Sequence, residues 1–186
     1  MINLVIDSTI LRQVLSFTKR AKDDVRPQLN AISLKNVNGK LELTATDGAG
    51  LIKVTRPFKE NESLTKDLVL KFGSLPKSFH FLVIGEENNK VVAKNLSNND
   101  IIPCEVLNLT YPRYEVIFPS CPIEDLPFAS EFVLFDGKRL SKIEDIIGYR
   151  HPRAFEDMGA IKAHFWTYKE NEYSYEFALM PVHCRK

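Results

Sequence analysis

The stretch RPQLNAISLKNVNGKLELTATDGAGLIKV, residues 26–54, constrains the fold more than any other part of the chain. Leu29, Ile32 and Leu34 lead into the polar run Asn36-Val37-Asn38-Gly39-Lys40, after which Leu41 and Leu43 alternate with Glu42 and Thr44. Period-two alternation puts apolar side chains on one side of a strand, so the run predicts a hairpin with one buried face. Asn38-Gly39 supplies the turn, because both residues tolerate the positive φ of tight hairpin connections. Thr46-Asp47-Gly48-Ala49-Gly50 then breaks the pattern before Leu51, Ile52 and Val54 resume it, which predicts a second turn or bulge.

The same plan recurs along the chain. Residues 2–6 read as a strand, and Asp7 or Ser8 can cap a helix over residues 9–20. On that helix Ile10, Leu11, Val14, Leu15 and Phe17 share one arc, leaving Arg12, Gln13, Ser16, Lys19 and Arg20 opposite, so the charges of the polar face are all basic. Strand, helix and three strands make a βαβββ unit of about 55 residues. After a polar linker at 59–66 a second unit follows, with strands over 67–71, 81–84, 90–94 and 101–107 and a short helical piece over 73–80 carrying Lys77. Pro76 keeps that piece short, since proline suits only a first turn. Residues 120–127, with Pro122 and Pro127, read as a linker. A third unit then carries a strand over 131–135, a helix over 137–147 and strands over 161–168 and 173–180. Its helix turns Leu140, Ile143, Ile146 and Ile147 inward and Lys138, Ser141, Lys142 and Asp145 outward. The expected fold is α+β, about three βαβββ repeats with antiparallel sheets and helices side by side. A domain at 1–118 is built of two units, a Pro-rich linker spans 119–130, and the third unit is 131–186.

Composition excludes several function classes. With 186 residues the chain can bury a self-sufficient core, and its 25 basic and 24 acidic side chains leave a net charge of +1, so any nucleic-acid contact must be a local patch. No apolar run approaches the roughly 20 residues of a membrane span, and Met1-Ile2-Asn3 lacks the basic start of a signal peptide, so a cytoplasmic protein is expected. Cys104, Cys121 and Cys184 show no CxxC spacing and are expected to be reduced, buried thiols. His183 and Cys184 are adjacent, and adjacent strand residues point to opposite faces, which argues against a thiol–imidazole pair. The sequence offers no paired carboxylates, no metal-ligand cluster and no Gly-rich phosphate loop, so no catalytic residue, metal or cofactor is expected.

Three motifs in order carry a family resemblance. The first comprises Arg26-Pro27, Ile32-Ser33-Leu34, Gly39-Lys40-Leu41 and Ala45-Thr46-Asp47-Gly48 followed by Leu51. The second is Tyr111-Pro112-Arg113-Tyr114-Glu115-Val116-Ile117-Phe118-Pro119, and the third is Phe177-Ala178-Leu179-Met180-Pro181-Val182. Together they resemble the bacterial DNA polymerase III beta subunit, the ring-shaped sliding clamp. The chain departs from that family in its ending, His183-Cys184-Arg185-Lys186, and in having three units where the family has six. It resembles a shortened, phage-like version, a middle domain joined to a last half-domain.

The resemblance implies a non-enzymatic processivity factor that encircles duplex DNA. Inward lysines and arginines would meet phosphates without reading sequence; the candidates are Arg12, Lys19, Arg20, Lys22, Lys77, Lys138 and Lys142. It also implies a pocket for the short apolar peptide of a DNA polymerase or another clamp-motif protein, formed by Thr46, Gly48, Leu51, Pro112, Ile117, Met180, Pro181 and Val182. Ala49 and Gly50 replace a His-Arg pair common in the family, which opens the rim. A clamp loader is a further implied partner. Closing a ring from three-unit chains takes about four subunits joined head to tail, with edge strands left unpaired at each end, the candidates being the outer strand of the first or second unit and the final strand at 173–182. In the alternative assembly the last half-domain pairs with its own chain and gives a closed monomer that cannot form a ring, and the alternative function is a clamp-fold interaction module or decoy that binds clamp-motif peptides without encircling DNA.

Overall fold

In the computed structural model, residues 1–19, 25–129, 134–154 and 163–181 are described. Arg20, Lys22, Val182, His183 and Cys184 lie outside them, as do residues 131–133 and 161–162 of two expected strands.

Asp7 decides where the first strand stops. Strand β1 (Ile2–Asp7) ends as the Asp7 carboxylate accepts the Thr9 N–H at 2.7 Å and the Ile10 N–H at 3.4 Å, capping α1 (Ser8–Ser16). The helix is shorter than its periodicity predicts. Phe17 caps it with its ring in the core, Thr18 turns its hydroxyl back to the Leu15 carbonyl, and the Lys19 N–H leaves for the Leu29 carbonyl at 2.7 Å. Lys19 is therefore beyond the helix.

The opening motif folds as a meander of β2 (Ile32–Val37), β3 (Lys40–Thr46) and β4 (Gly50–Pro57). Asn38 and Gly39 form its first turn with φ of 52° and 76°, as the sequence predicts. There follow β5 (Ser63–Leu64), β6 (Leu68–Phe72), β7 (Phe81–Glu87), β8 (Lys90–Asn95), β9 (Ile101–Ile102), β10 (Cys104–Val106), α2 (Gly137–Ile147), β11 (His164–Glu170) and β12 (Tyr173–Leu179). Residues 73–80 form no helix. A prolyl ring at Pro76 disfavours helical backbone at Leu75 and removes a donor, and the segment is too short to nucleate around that gap. The strand expected over 101–107 is split at Pro103, whose carbonyl accepts the Gly73 N–H while the chain changes sheets. Leu134 and Phe135 are not in a strand either.

The strands make two antiparallel sheets, β5-β1-β7-β8-β9 and β10-β6-β2-β3-β4-β12-β11. The two N-terminal units interlock: β1 of the first pairs with β7 of the second, and β6 of the second pairs with β2 of the first. At the other end, β12 pairs with β4 in the register Ala178↔Leu51 and Leu179↔Gly50. This corrects the expected assembly edges. The outer strand of the first unit, one of two candidates for a free edge, and the final strand pair with each other within the chain, which is the alternative arrangement.

Alternation along the seven-stranded sheet produces two apolar faces. Ile52, Val54, Phe177 and Leu179 point toward α1 and α2, where they join Leu11, Val14, Phe17 and Ile143 in the main core. Leu51, Val69, Phe165 and Ala178 point the other way and are covered by Tyr111, Tyr114, Ile123 and Leu126. The Pro-rich stretch expected as a spacer therefore has a packing role, since Ile123 and Leu126 are buried. Cys104 is half-buried and Cys121 exposed, contrary to the buried thiols expected.

A buried ion pair ties the two sheets. Arg56 donates to Glu62 through Nη1 at 2.6 Å and Nη2 at 2.8 Å, and Nη2 also reaches the Val5 carbonyl, while Glu62 accepts the N–H groups of Val5 and Lys59. Burial alone would raise the Glu62 carboxyl. The Arg56 and backbone hydrogen bonds outweigh it and hold the group below its ordinary value.

Candidate functional site

The turn between β3 and β4 is built by its own side chains. Thr46 Oγ1 donates to the Gly50 carbonyl at 2.8 Å and accepts the Gly48 N–H at 3.0 Å, while Asp47 Oδ1 accepts the N–H groups of Ala49 and Gly50. Gly48 has φ of 94°, a conformation that strains any side chain, so the Asp-Gly pair is required by the turn itself. The Met180 N–H donates to the Ala49 carbonyl at 2.9 Å, setting the Met-Pro terminus against this turn.

The exit segment completes the junction. Tyr111 donates to the Ala31 carbonyl and packs in the cluster that holds Leu51 and Ala178. Lys35 pairs with Glu115 at 2.6 Å, Tyr114 donates to buried Glu42, and Lys53 lies 4.2 Å from the centre of the Phe118 ring. These contacts hold residues 111–118 across the outer face of the sheet. Of the eight pocket candidates, Leu51 is buried at 2% exposure, Thr46 is buried, Pro112, Met180 and Pro181 are half-buried, and Ile117 is 40% exposed. Each of the three motifs thus gives residues to one apolar cluster, Leu51 from the first, Tyr111 and Tyr114 from the second and Ala178 from the third, while Pro112, Ile117, Met180 and Pro181 are not among its residues.

Sequence reasoning missed the residue that fixes this turn to α2. Arg139 Nε donates to Asp47 Oδ2 at 2.8 Å, and its side chain passes beside Gly50, where a Cβ would sit 3.6 Å from Arg139 Cδ and 3.7 Å from Phe17 Cδ1. Asp136 caps α2 through the Arg139 N–H, a signal readable from an aspartate before an apolar helical arc. Burial would raise the Asp47 carboxyl, but the Gly50 and Ala49 N–H groups and Arg139 outweigh it and lower it. Because the folded value is depressed, this stabilisation is present at neutral pH and is lost as the pH falls through the ordinary 3.8 toward the folded value. Asp47→Asn is expected to flatten the fall in Tm below about pH 4, measured by thermal melts across pH. An unchanged acid limb would contradict the assignment.

The basic candidates are less uniform. Arg12 donates to the carbonyls of Pro76 and Lys77 and lies 5.1 Å from the centre of the Phe79 ring, so it clamps the 73–80 loop. Lys77 is exposed on that loop and Lys138 is exposed on α2, while Lys142 Nζ lies 5.5 Å from the Phe17 ring centre and bridges the two helices. A cleft of about 720 Å³ beside the end of α1 is lined by Arg12, Lys19 and Lys71. Lys71 escaped the sequence reading because it lies in a strand.

No protein-family model and no curated protein matches the chain. Solved structures do. The DNA polymerase sliding clamp of Pseudomonas aeruginosa matches at a TM-score of 0.61 and 15% identity over 98% of this chain and 67% of that one. The chain has the fold of a bacterial sliding clamp. The DNA polymerase III beta subunit of Thermotoga maritima matches at 0.62 and 13% identity over 100% of this chain and 66% of that one. A Pseudomonas aeruginosa sliding clamp bound to griselimycin matches at 0.59 and 14% identity, with 98% and 66% covered. The chain spans about two thirds of the length of these clamp chains.

Proposed function

We propose that this chain is a clamp-type processivity factor, without catalysis of its own, that tethers a DNA polymerase or another clamp-motif protein on duplex DNA through a short-peptide pocket. The observation that supports this reading is the β4–β12 junction, where Leu51, Ala178, Tyr111 and Tyr114 share one apolar cluster and the Met180 N–H donates to the Ala49 carbonyl of the turn. Leu51 serves as the floor and Pro112, Ile117, Met180 and Pro181 as walls, with Thr46 and Gly48 shaping the rim. The division into 1–118, 119–130 and 131–186 belongs to the same proposal, as do a cytoplasmic, phage-like setting and a clamp loader. A polymerase-derived apolar peptide should bind the chain saturably. No saturable binding by the folded chain would contradict the pocket.

A second reading, the interaction module that does not encircle DNA, is favoured by the pairing of β12 with β4 of its own chain. A ring of about four subunits must close through other edges. Retention on circular DNA that is lost on linearisation supports encirclement; equal behaviour on both supports the module. Exchanging Lys77, Lys138 and Lys142 for glutamate is expected to weaken DNA binding and to flatten its dependence on log salt by roughly 0.9 for each phosphate no longer neutralised. An unchanged slope removes these lysines from the DNA-facing surface.

A further inference from the structure

Strand β11 is the last strand of the seven-stranded sheet, and among the described residues its outer edge is paired at one end only. Arg153 and Phe165 exchange two backbone hydrogen bonds of 2.8 Å, and Phe128 pairs with Arg153 beyond them. Hydrogen-bonding direction alternates along an antiparallel strand, so the next backbone groups facing outward belong to Thr167 and Lys169. Among the described residues no strand pairs with these two on that side. Beside them opens a cleft of about 560 Å³, the size of a ligand site, lined by Phe128, Arg150, His151, Arg153, Tyr168 and Lys169 among others.

The charge of this cleft is one-sided. Arg150 donates to the Ile147 carbonyl and lies 5.0 Å from the Tyr168 ring centre. Arg153 donates to the carbonyls of Glu124 and Leu126 and lies 4.3 Å from the Phe128 ring centre. Among the described residues neither guanidinium meets a carboxylate. The single acid of the lining, Glu124, sits 3.7 Å from Lys169. Phe128 is 60% exposed and Tyr149 77%, with His151 edge-on to both.

We propose that this cleft is a second peptide site, which takes an acidic, extended segment of a partner protein as an added strand on β11. The incoming backbone completes the hydrogen bonds of Thr167 and Lys169, its carboxylates meet Arg150, Arg153 and Lys169, and an apolar side chain rests on Phe128. Charge selects this occupant over a second copy of the chain, because the opposite edge of the same sheet, β10, is three residues long and carries one carboxylate, Glu105. The cleft adjoins the junction at Phe165, which lines it and belongs to the cluster that holds Leu51, while the open edge at Thr167 and Lys169 lies three to five residues along β11 from His164, the partner of Leu179, or roughly 10–17 Å.

The test titrates the isotope-labelled whole chain with two capped pentapeptides, one alternating Val with Glu and one alternating Val with Lys. The Glu peptide is expected to shift the amide resonances of Thr167 and Lys169 and to bind less tightly as salt rises, while the Lys peptide leaves them unchanged. Arg150→Glu should reduce affinity at least tenfold, and Thr167→Pro, which removes an edge N–H, should abolish binding. Unchanged β2–β4 resonances show that each variant is folded, and Arg150→Glu decides the matter if the proline variant is not. Equal binding of both peptides overturns the proposal. So do shifts confined to the Thr46–Leu51 turn, a DNA duplex that produces the same shifts more tightly than the Glu peptide, or the same shifts on concentrating the chain alone.

Discussion

Glu62→Ala is expected to lower stability by about 3–5 kcal/mol, because it leaves the Arg56 guanidinium buried without its counter-ion. Side-chain exposure is 1% at Arg56 and 2% at Glu62, so water cannot replace the missing carboxylate without opening the seam between the sheets. The same change strips acceptors from the Val5 and Lys59 N–H groups, both 2.7 Å from Glu62 oxygens. Replacing both partners, Arg56→Met with Glu62→Leu, should cost much less, since the desolvation of two charges goes with them. Urea unfolding followed by two probes measures both. A loss below about 1 kcal/mol in Glu62→Ala would place the pair among surface bridges of little consequence.

The second large effect is on binding. Leu51→Ala with Met180→Ala is expected to weaken a polymerase-derived peptide at least tenfold, about 1.4 kcal/mol or more, because each large apolar wall contributes about 1.5–3 kcal/mol when fully buried. Leu51 also packs against Tyr111, Phe165 and Ala178, so its truncation costs stability of about 2–5 kcal/mol. Met180→Ala alone separates the two roles, since Met180 is only half-buried. A single variant that keeps its Tm and loses peptide affinity supports the pocket; one that loses Tm and keeps affinity assigns Met180 to packing.

What was legible in the sequence was what is set by local chemistry. The Asn38-Gly39 turn, the Asp7 cap and the α2 arc ending at Ile147 each follow from residues within one turn of the feature. Residues 73–80 looked helical by hydrophobic spacing, yet Pro76 decided against the helix. Long-range partners left no local trace: nothing near Asp47 announces Arg139, and nothing in 111–118 announces Glu42 or Lys53. The pairing of β12 with β4 is one of two arrangements the sequence leaves open, because both strands alternate in the same way and each could serve as an edge. The motif resemblance links Leu51, Tyr111, Tyr114 and Ala178, which share one cluster, and the burial of Leu51 at 2% exposure fits the competing reading of that residue as core.

The most direct measurement is hydrogen exchange of the whole chain with and without a polymerase-derived peptide. The account predicts added protection at residues 46–51, 111–118 and 178–181 together, with β7 and β8 unchanged. Protection that spares the turn and the Met180 strand, or that appears only along β11, would contradict it.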